Sequence, residues 1–207
     1  MVLTPGYKKF ALATHLVVSL GWLGGVLVYL ALGVAAVASQ NPETIRAAWI
    51  AMELTGWFVI LPMAVLALLT GIVMAHGTPW GLYRHYWILI SLLLTGLSIA
   101  VLLGHMPTVS ATANHARDAN AAQLGALGGD LVHAGLAFVV LLVIVALNVY
   151  KPPGLTPCGR RHRAERGGGP GVIPRWLKVS GAIVGILLLA GAFLLAGGHS
   201  PPSQGRP

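Results

Sequence analysis

Charged residues are scarce in this chain, and acidic residues are the scarcest. Only 9% of the 207 residues are charged and only five are Asp or Glu, whereas 56% are hydrophobic. A soluble domain needs more polar surface than this to face water. The composition therefore excludes an ordinary soluble globular protein and indicates a small helical membrane bundle.

Cysteine and the common enzyme motifs are also missing. Cys158 is the single cysteine, which excludes a disulfide framework and a CxxC redox pair. No Walker, Rossmann, catalytic-serine or zinc-protease pattern occurs, and no short-period repeat is visible. The motifs leave open whether the protein is an enzyme.

Long apolar runs are abundant, and each is sufficient for a transmembrane helix, which needs about 20 residues. They lie at 10–38, 55–76, 86–106, 131–150 and 175–197. The fold predicted is all-α, a polytopic membrane helical bundle with a four-helix core over 1–150, a basic loop over 151–174, and a fifth transmembrane helix with a short tail over 175–207. The first run is longer than the apolar region of a signal peptide, about 7–15 residues, so we expect it to be retained.

The cations are distributed unevenly between the two ends of these helices. If the N-terminus defines one side, ten of the thirteen Lys and Arg lie on that side. The positive-inside bias then places the N-terminus in the cytoplasm and the C-terminus outside, in a multi-pass protein of the plasma membrane. Membrane lipids are the expected partners of the net charge of +8. Nucleic acid is not, because the run Arg160-Arg161-His162-Arg163 lacks interleaved aromatic residues.

The connecting segments carry local signals. Asn41 followed by Pro42 is typical of a helix start, so we expect the second helix to begin outside the membrane. Pro62 is predicted to kink that helix. The segment 108–128 is rich in alanine and polar residues, and we expect a separate short helix there on the outer surface.

Helical spacing predicts which polar residues face the interior. A stripe on the first helix repeats at steps of three or four residues: His15, Ser19, Trp22, Val26, Tyr29 and Gly33. On the third helix His105 shares a face with the other polar groups, Ser91, Thr95 and Ser98. Asp130 lies one turn before His133 on the fourth helix, where a carboxylate can fix an imidazole tautomer.

On the predicted topology these residues form two groups. His15, His76 and His85 lie near the cytoplasmic face as candidate haem ligands, because histidines on facing helices can ligate haem iron. His105, His133, Asp130 and Glu53 lie near the outer face as candidate ligands of copper or another transition metal. The alternative is that helix-end histidines simply bond to backbone or to headgroups.

A resemblance supports the first group. The runs His15 to Gly25, Leu61-Pro62-Met63-Ala64, Thr70-Gly71 and Trp80 to Trp87 resemble an uncharacterised bacterial family of small integral membrane proteins. Over about 7–150 the chain is more distantly similar to the haem-containing membrane protoporphyrinogen oxidases and to the copper-resistance D proteins. The resemblance implies haem b with His15 as a ligand. Those oxidases carry a lysine early in the third helix, where this chain has Trp87 to Ser91 and no lysine.

Three functions are compatible with the sequence. A protein that binds haem b or a transition metal in a redox role accounts for the histidines. A non-enzymatic accessory subunit, bound to another membrane protein or to a second copy, accounts for the small residues spaced four apart that allow close helix packing. These are Gly21 and Gly25 on the first helix and Ala67, Gly71 and Ala75 on the second. A proton-coupled transporter accounts for Glu53 and Asp130, although no inverted repeat is visible.

Overall fold

The computed structural model describes residues 4–78 and 81–165, together with Trp176 and Gly185. Within this part the chain is helical with no β-strand, and four helices are long and apolar enough to cross a membrane. The prediction of an all-α membrane bundle is confirmed. The predicted fifth helix at 175–197 and the tail with His199 lie outside the described residues, apart from Trp176 and Gly185.

Seven α-helices and one π-helical segment follow one another along the described chain. They are α1 (Pro5–Ala38), α2 (Pro42–Thr55), the π-helical segment Gly56–Ile60, α3 (Leu61–Gly77), α4 (Tyr86–Asp118), α5 (Ala121–Gly125), α6 (Leu131–Tyr150) and α7 (Pro157–Glu165). The α2, π-helical and α3 segments run on without a break as one span. The four candidate spans are therefore α1, this composite helix, α4 and α6.

The start of the composite helix agrees with its sequence signal. The Asn41 side chain accepts a hydrogen bond from the backbone N–H of Glu43, and Pro42 occupies the first turn. The kink was predicted at Pro62, but the irregular turn of the helix lies just before it. There the N–H of Leu61 donates to the carbonyl of Gly56, five residues back. A π-turn here fits the lack of a backbone donor at Pro62.

The prediction of a separate helix over 108–128 is wrong. Helix α4 continues through Pro107 to Asp118, and only the five residues of α5 form a further helix. Burial explains the continuation, since Met106, Val109, Ala113 and Ala116 on one face of α4 are almost inaccessible. The Arg46 guanidinium also donates to the carbonyls of Arg117 and Ala119 at the end of α4. A cation at this position satisfies unpaired helix carbonyls.

The lengths of the helices can be compared with the thickness of a membrane. With its 20 residues α6 is about 30 Å long, the thickness of the hydrocarbon core. Helices α1 and α4 have 34 and 33 residues and exceed that length. We call the end at which α1 ends and α6 begins the far end. There α2, residues 106–118 of α4, and α5 form a small helical layer, the far-end cap.

Small residues bring α1 close to its neighbours, as the sequence predicted. A Cβ atom on Gly25 would lie 3.1 Å from the side chain of Ile60, and one on Gly71 would lie 3.3 Å from His15. The stripe on α1 is also confirmed in part, because Trp22, Val26, Tyr29 and Gly33 are buried. The helix α1 thus lies close to the π-helical segment and to α3, and Tyr29 on its stripe is buried.

Candidate metal centre

Three predicted site residues meet at the far end of the bundle. The structure brings together His105 of α4, Asp130 at the start of α6, and His133 one turn later. His105 Nε2 lies 2.5 Å from Asp130 Oδ2, and His133 Nδ1 lies 2.9 Å from Asp130 Oδ1. The two imidazole rings stack with centroids 3.9 Å apart and an interplanar angle of 18°. We call these three residues the His–Asp–His cluster.

A fourth residue ties the cluster to α1. The Tyr29 hydroxyl donates to Asp130 Oδ2 over 2.8 Å, so one carboxylate joins three helices. The side chains of His105, Asp130 and His133 are 15%, 8% and 24% exposed. The carboxylate is therefore the most enclosed group of the cluster, and both of its oxygens are hydrogen-bonded.

A close backbone approach positions Asp130. A Cβ atom on Gly129 would lie 2.5 Å from the carbonyl oxygen of Gly33 and 2.6 Å from the Val37 side chain. Only glycine fits such a contact with backbone. Because Gly33 follows Tyr29 by one turn of α1, this contact sets the start of α6 beside the phenol. The hydrogen bond between Tyr29 and Asp130 depends on it.

The charge of Asp130 dictates the roles of its neighbours. Burial raises the pKa of the Asp130 carboxyl, but hydrogen bonds from His105 and His133 outweigh this and hold the pKa below its ordinary value. An ionised carboxylate only accepts, so both imidazoles must donate to it. His105 Nδ1 and His133 Nε2 have no hydrogen-bond partner among the described residues. In a neutral imidazole these second nitrogens carry lone pairs.

Two cavities, which differ in volume and in lining residues, adjoin the cluster. A cavity of about 110 Å³ with mainly apolar lining lies among α1, α4 and α6. A second cavity of about 220 Å³ lies toward the far-end cap, with Trp49, Thr108 and Thr112 among its lining residues. His105, Asp130 and His133 line both cavities. The cluster thus borders both the apolar cavity and the cavity beside the far-end cap.

Glu53 is placed differently from the other predicted metal ligands. Its carboxylate accepts from Arg117 over 2.6 Å, in an ion pair between α2 and α4. The His–Asp–His cluster, whose ligand atoms lie within 4.8 Å of one another, does not include it. Glu53 therefore stabilises the far-end cap in this structure.

The three predicted haem ligands have separate surroundings. The Thr70 hydroxyl donates to the Leu66 carbonyl, and its oxygen accepts from His15 Nδ1 over 2.9 Å. His76 Nδ1 donates to the carbonyl of Ile72 on its own helix, over 3.1 Å. His85 pairs through its backbone with Leu155 and has its ring 6.4 Å from that of Trp87.

These contacts indicate which of the three histidines could bind a haem iron. The bond to Thr70 fixes the His15 ring and leaves Nε2, the nitrogen that would bind iron. His76 instead lies exposed at the end of α3. The residues fit one axial ligand, and haem binding stays a prediction.

Two residues of the site were not assigned to it from the sequence. Tyr29 was recognised only as a member of the α1 stripe, and its stripe position is the signal that could have placed it. Trp49 carried no such signal. It is 5% exposed, and its indole Nε1 is buried without a hydrogen-bond partner in the described part of the chain.

No protein family, curated protein or solved structure matches this chain. The function is therefore argued from the site itself.

Proposed function

We propose that this integral membrane protein binds a transition-metal ion at His105, Asp130 and His133. The observation that carries the proposal is that one ligand atom from each side chain lies within 4.8 Å of the others. A metal ion holds such ligands about 2.0–2.2 Å from itself. Small side-chain adjustments bring the three atoms into that range.

The donor set narrows the class of metal. Two imidazoles and one carboxylate suit zinc, iron, cobalt, nickel or copper, whereas magnesium and calcium prefer oxygen ligands alone. Three protein ligands also leave coordination positions open, as in catalytic rather than structural sites. The predicted redox role applies if the resident metal is copper or iron.

We infer the position of the ion from the hydrogen bonds of the cluster. Protons now join His105 Nε2 and His133 Nδ1 to the carboxylate oxygens. An ion placed between the same atoms would bind each ring nitrogen through its lone pair, and a neutral imidazole then carries its proton on the other ring nitrogen. Tyr29 remains as the donor that orients the carboxylate, the part that outer-shell residues take in metal sites.

A second hypothesis is that the cluster is purely structural. Asp130 receives hydrogen bonds from α1, α4 and α6, so it can lock the bundle of an accessory subunit without any metal. Buried hydrogen-bond networks can specify one arrangement of the helices that they join. The two hypotheses differ in what the histidines bind.

Metal titration of the purified full-length protein separates them. The protein is stripped with EDTA in detergent and titrated with Zn²⁺ and Co²⁺ by calorimetry and by the visible Co²⁺ spectrum. We expect one ion per chain in the unmodified protein, and at least about 100-fold weaker binding in His105→Ala and His133→Ala. His115→Ala is the matched control, because His115 is exposed on the same helix as His105.

The result can contradict the proposal in either of two ways. Absence of stoichiometric binding in the folded, unmodified protein supports the structural network. Binding that is equal in His105→Ala and in His115→Ala places the ion elsewhere.

A further inference from the structure

The titratable side chains that line the apolar cavity all lie at one end of it. It lies among α1, α4 and α6, and its walls include Trp22, Val26, Leu102 and Leu141. Tyr29 and the His–Asp–His cluster form its far end. A site of this kind, apolar with a few convergent polar groups, is the usual form of a small-molecule pocket.

The volume limits the occupant to a small group. The cavity measures about 110 Å³, and a protein cavity of about 150 Å³ is known to accept benzene. This cavity is smaller than that one, so a single six-membered ring is the upper limit of what it can enclose. Leu97 and Val101 of α4 and Leu136 of α6 line the cavity but are only partly buried. The cavity therefore reaches the flank of these spans, where a compound dissolved in the bilayer can enter.

The polar end selects a hydrogen-bond donor. His105 and His133 each use one nitrogen to donate to Asp130, and when the ring is neutral its second nitrogen is an acceptor. The Asp130 oxygens accept already from three side chains. A hydroxyl group on the ring satisfies an imidazole lone pair. An ether or a hydrocarbon leaves that lone pair unmatched in an apolar cavity.

We propose that this cavity binds the ring of a membrane-soluble phenol or quinol, with its hydroxyl group donating to His105 or His133. The inference shares residues with the metal centre of the proposed function but does not require a metal. Hydroxyl recognition is expected in the metal-free protein.

Fluorinated probes test the inference directly. Full-length protein in detergent, stripped with EDTA, is titrated with 4-fluorophenol and with 4-fluoroanisole, its methyl ether, by ¹⁹F NMR. We expect saturable binding of the phenol and at least about fivefold weaker binding of the ether, from one lost hydrogen bond. Detergent partitioning is corrected with protein-free micelles.

Two alanines of α6 supply a matched pair of variants. Ala137 lines the cavity, so Ala137→Leu fills it and is expected to weaken phenol binding about tenfold or more. Ala146 is exposed on the same helix and does not line it, so Ala146→Leu should bind as the unmodified protein does. Both variants are first checked for a cooperative thermal transition.

Three results would overturn the inference. Equal binding of phenol and ether shows that the cavity takes apolar groups, such as lipid tails, without recognising a hydroxyl. Phenol binding that survives in folded Ala137→Leu places the ligand elsewhere. The third is the absence of saturable phenol binding. Zinc binding is measured separately, in the absence of phenol. A failure of the phenol proposal can therefore be distinguished from a failure of the metal proposal.

Discussion

At the scale of single residues, the site is organised around one carboxylate. Asp130 accepts from Tyr29, His105 and His133, and each donor comes from a different helix or turn. The sequence placed Asp130 and His133 one turn apart because helical spacing is local information. It could not show that Tyr29 lies within 2.8 Å of Asp130, since the two are 101 positions apart.

Removal of the Tyr29 hydroxyl should weaken metal binding without unfolding the protein. Tyr29→Phe keeps the ring packed among its apolar neighbours but deletes the donor to Asp130. Loss of an outer-shell partner typically lowers metal affinity about 10- to 100-fold. Zinc calorimetry measures the change, with Tyr83→Phe as control because Tyr83 is 61% exposed. Unchanged affinity in Tyr29→Phe would mean that the phenol does not orient the ligand.

The hydrogen bond between His15 and Thr70 should contribute modestly to stability. It joins α1 to α3, and interhelical hydrogen bonds in membrane proteins contribute about 0.6 kcal/mol on average. A double-mutant cycle with His15→Ala and Thr70→Val, followed by unfolding in detergent, should give a coupling energy of about that size. A coupling near zero would show that the bond adds nothing to stability.

The His15→Ala variant also tests the prediction that His15 is an axial ligand of haem. Protein from haem-sufficient cells should show a Soret band if His15 is an axial ligand, and His15→Ala should alter that band. His162→Ala is the control on α7. A colourless unmodified protein would exclude the ligand.

At the scale of elements, periodicity predicted helix faces better than helix ends. The apolar runs located the four described spans, and the face of α4 that carries Ser91 and Thr95 is buried as expected. The predicted end of α4 is wrong because residues 108–118, taken in isolation, are polar and rich in alanine. Packing against α2 and the Arg46 contacts keep them helical, and neither contact is local in sequence.

The approach of Gly129 to α1 gives a prediction at this scale. Gly129→Ala forces a methyl group against the Gly33 carbonyl, and overpacking of this kind costs about 1–3 kcal/mol. We expect a lower thermal midpoint and weaker zinc binding, because the start of α6 must move away from Tyr29. Gly135→Ala on α6 is the control, since a methyl group there meets nothing within 4 Å. Equal behaviour of the two variants would contradict the positioning role of Gly129.

At the scale of the whole molecule, the cation distribution predicts orientation. Four described spans return the chain to its starting side, so α7 should lie on the same side as the N-terminus. The excess of Lys and Arg predicts that this side is cytoplasmic.

Native Cys158 allows a labelling test of that orientation. It is exposed on α7, so a membrane-impermeant maleimide should label it only after the cells are permeabilised. Asn120→Cys in a Cys158→Ser background lies at the far end and should be labelled in intact cells. Labelling of Cys158 in intact cells would reverse the predicted orientation.

The short length of α6 makes the cluster responsive to bilayer thickness. Helix α6 matches a hydrocarbon core of about 30 Å with little tilt, and Asp130 directly precedes it. In a thicker bilayer the helix is too short, and hydrophobic mismatch draws the carboxylate toward the acyl chains unless the lipids thin locally. The longer α1 and α4 can still span such a bilayer by tilting less. Acyl-chain length in reconstituted vesicles thus becomes a means of adjusting the hydration of Asp130 without changing a residue.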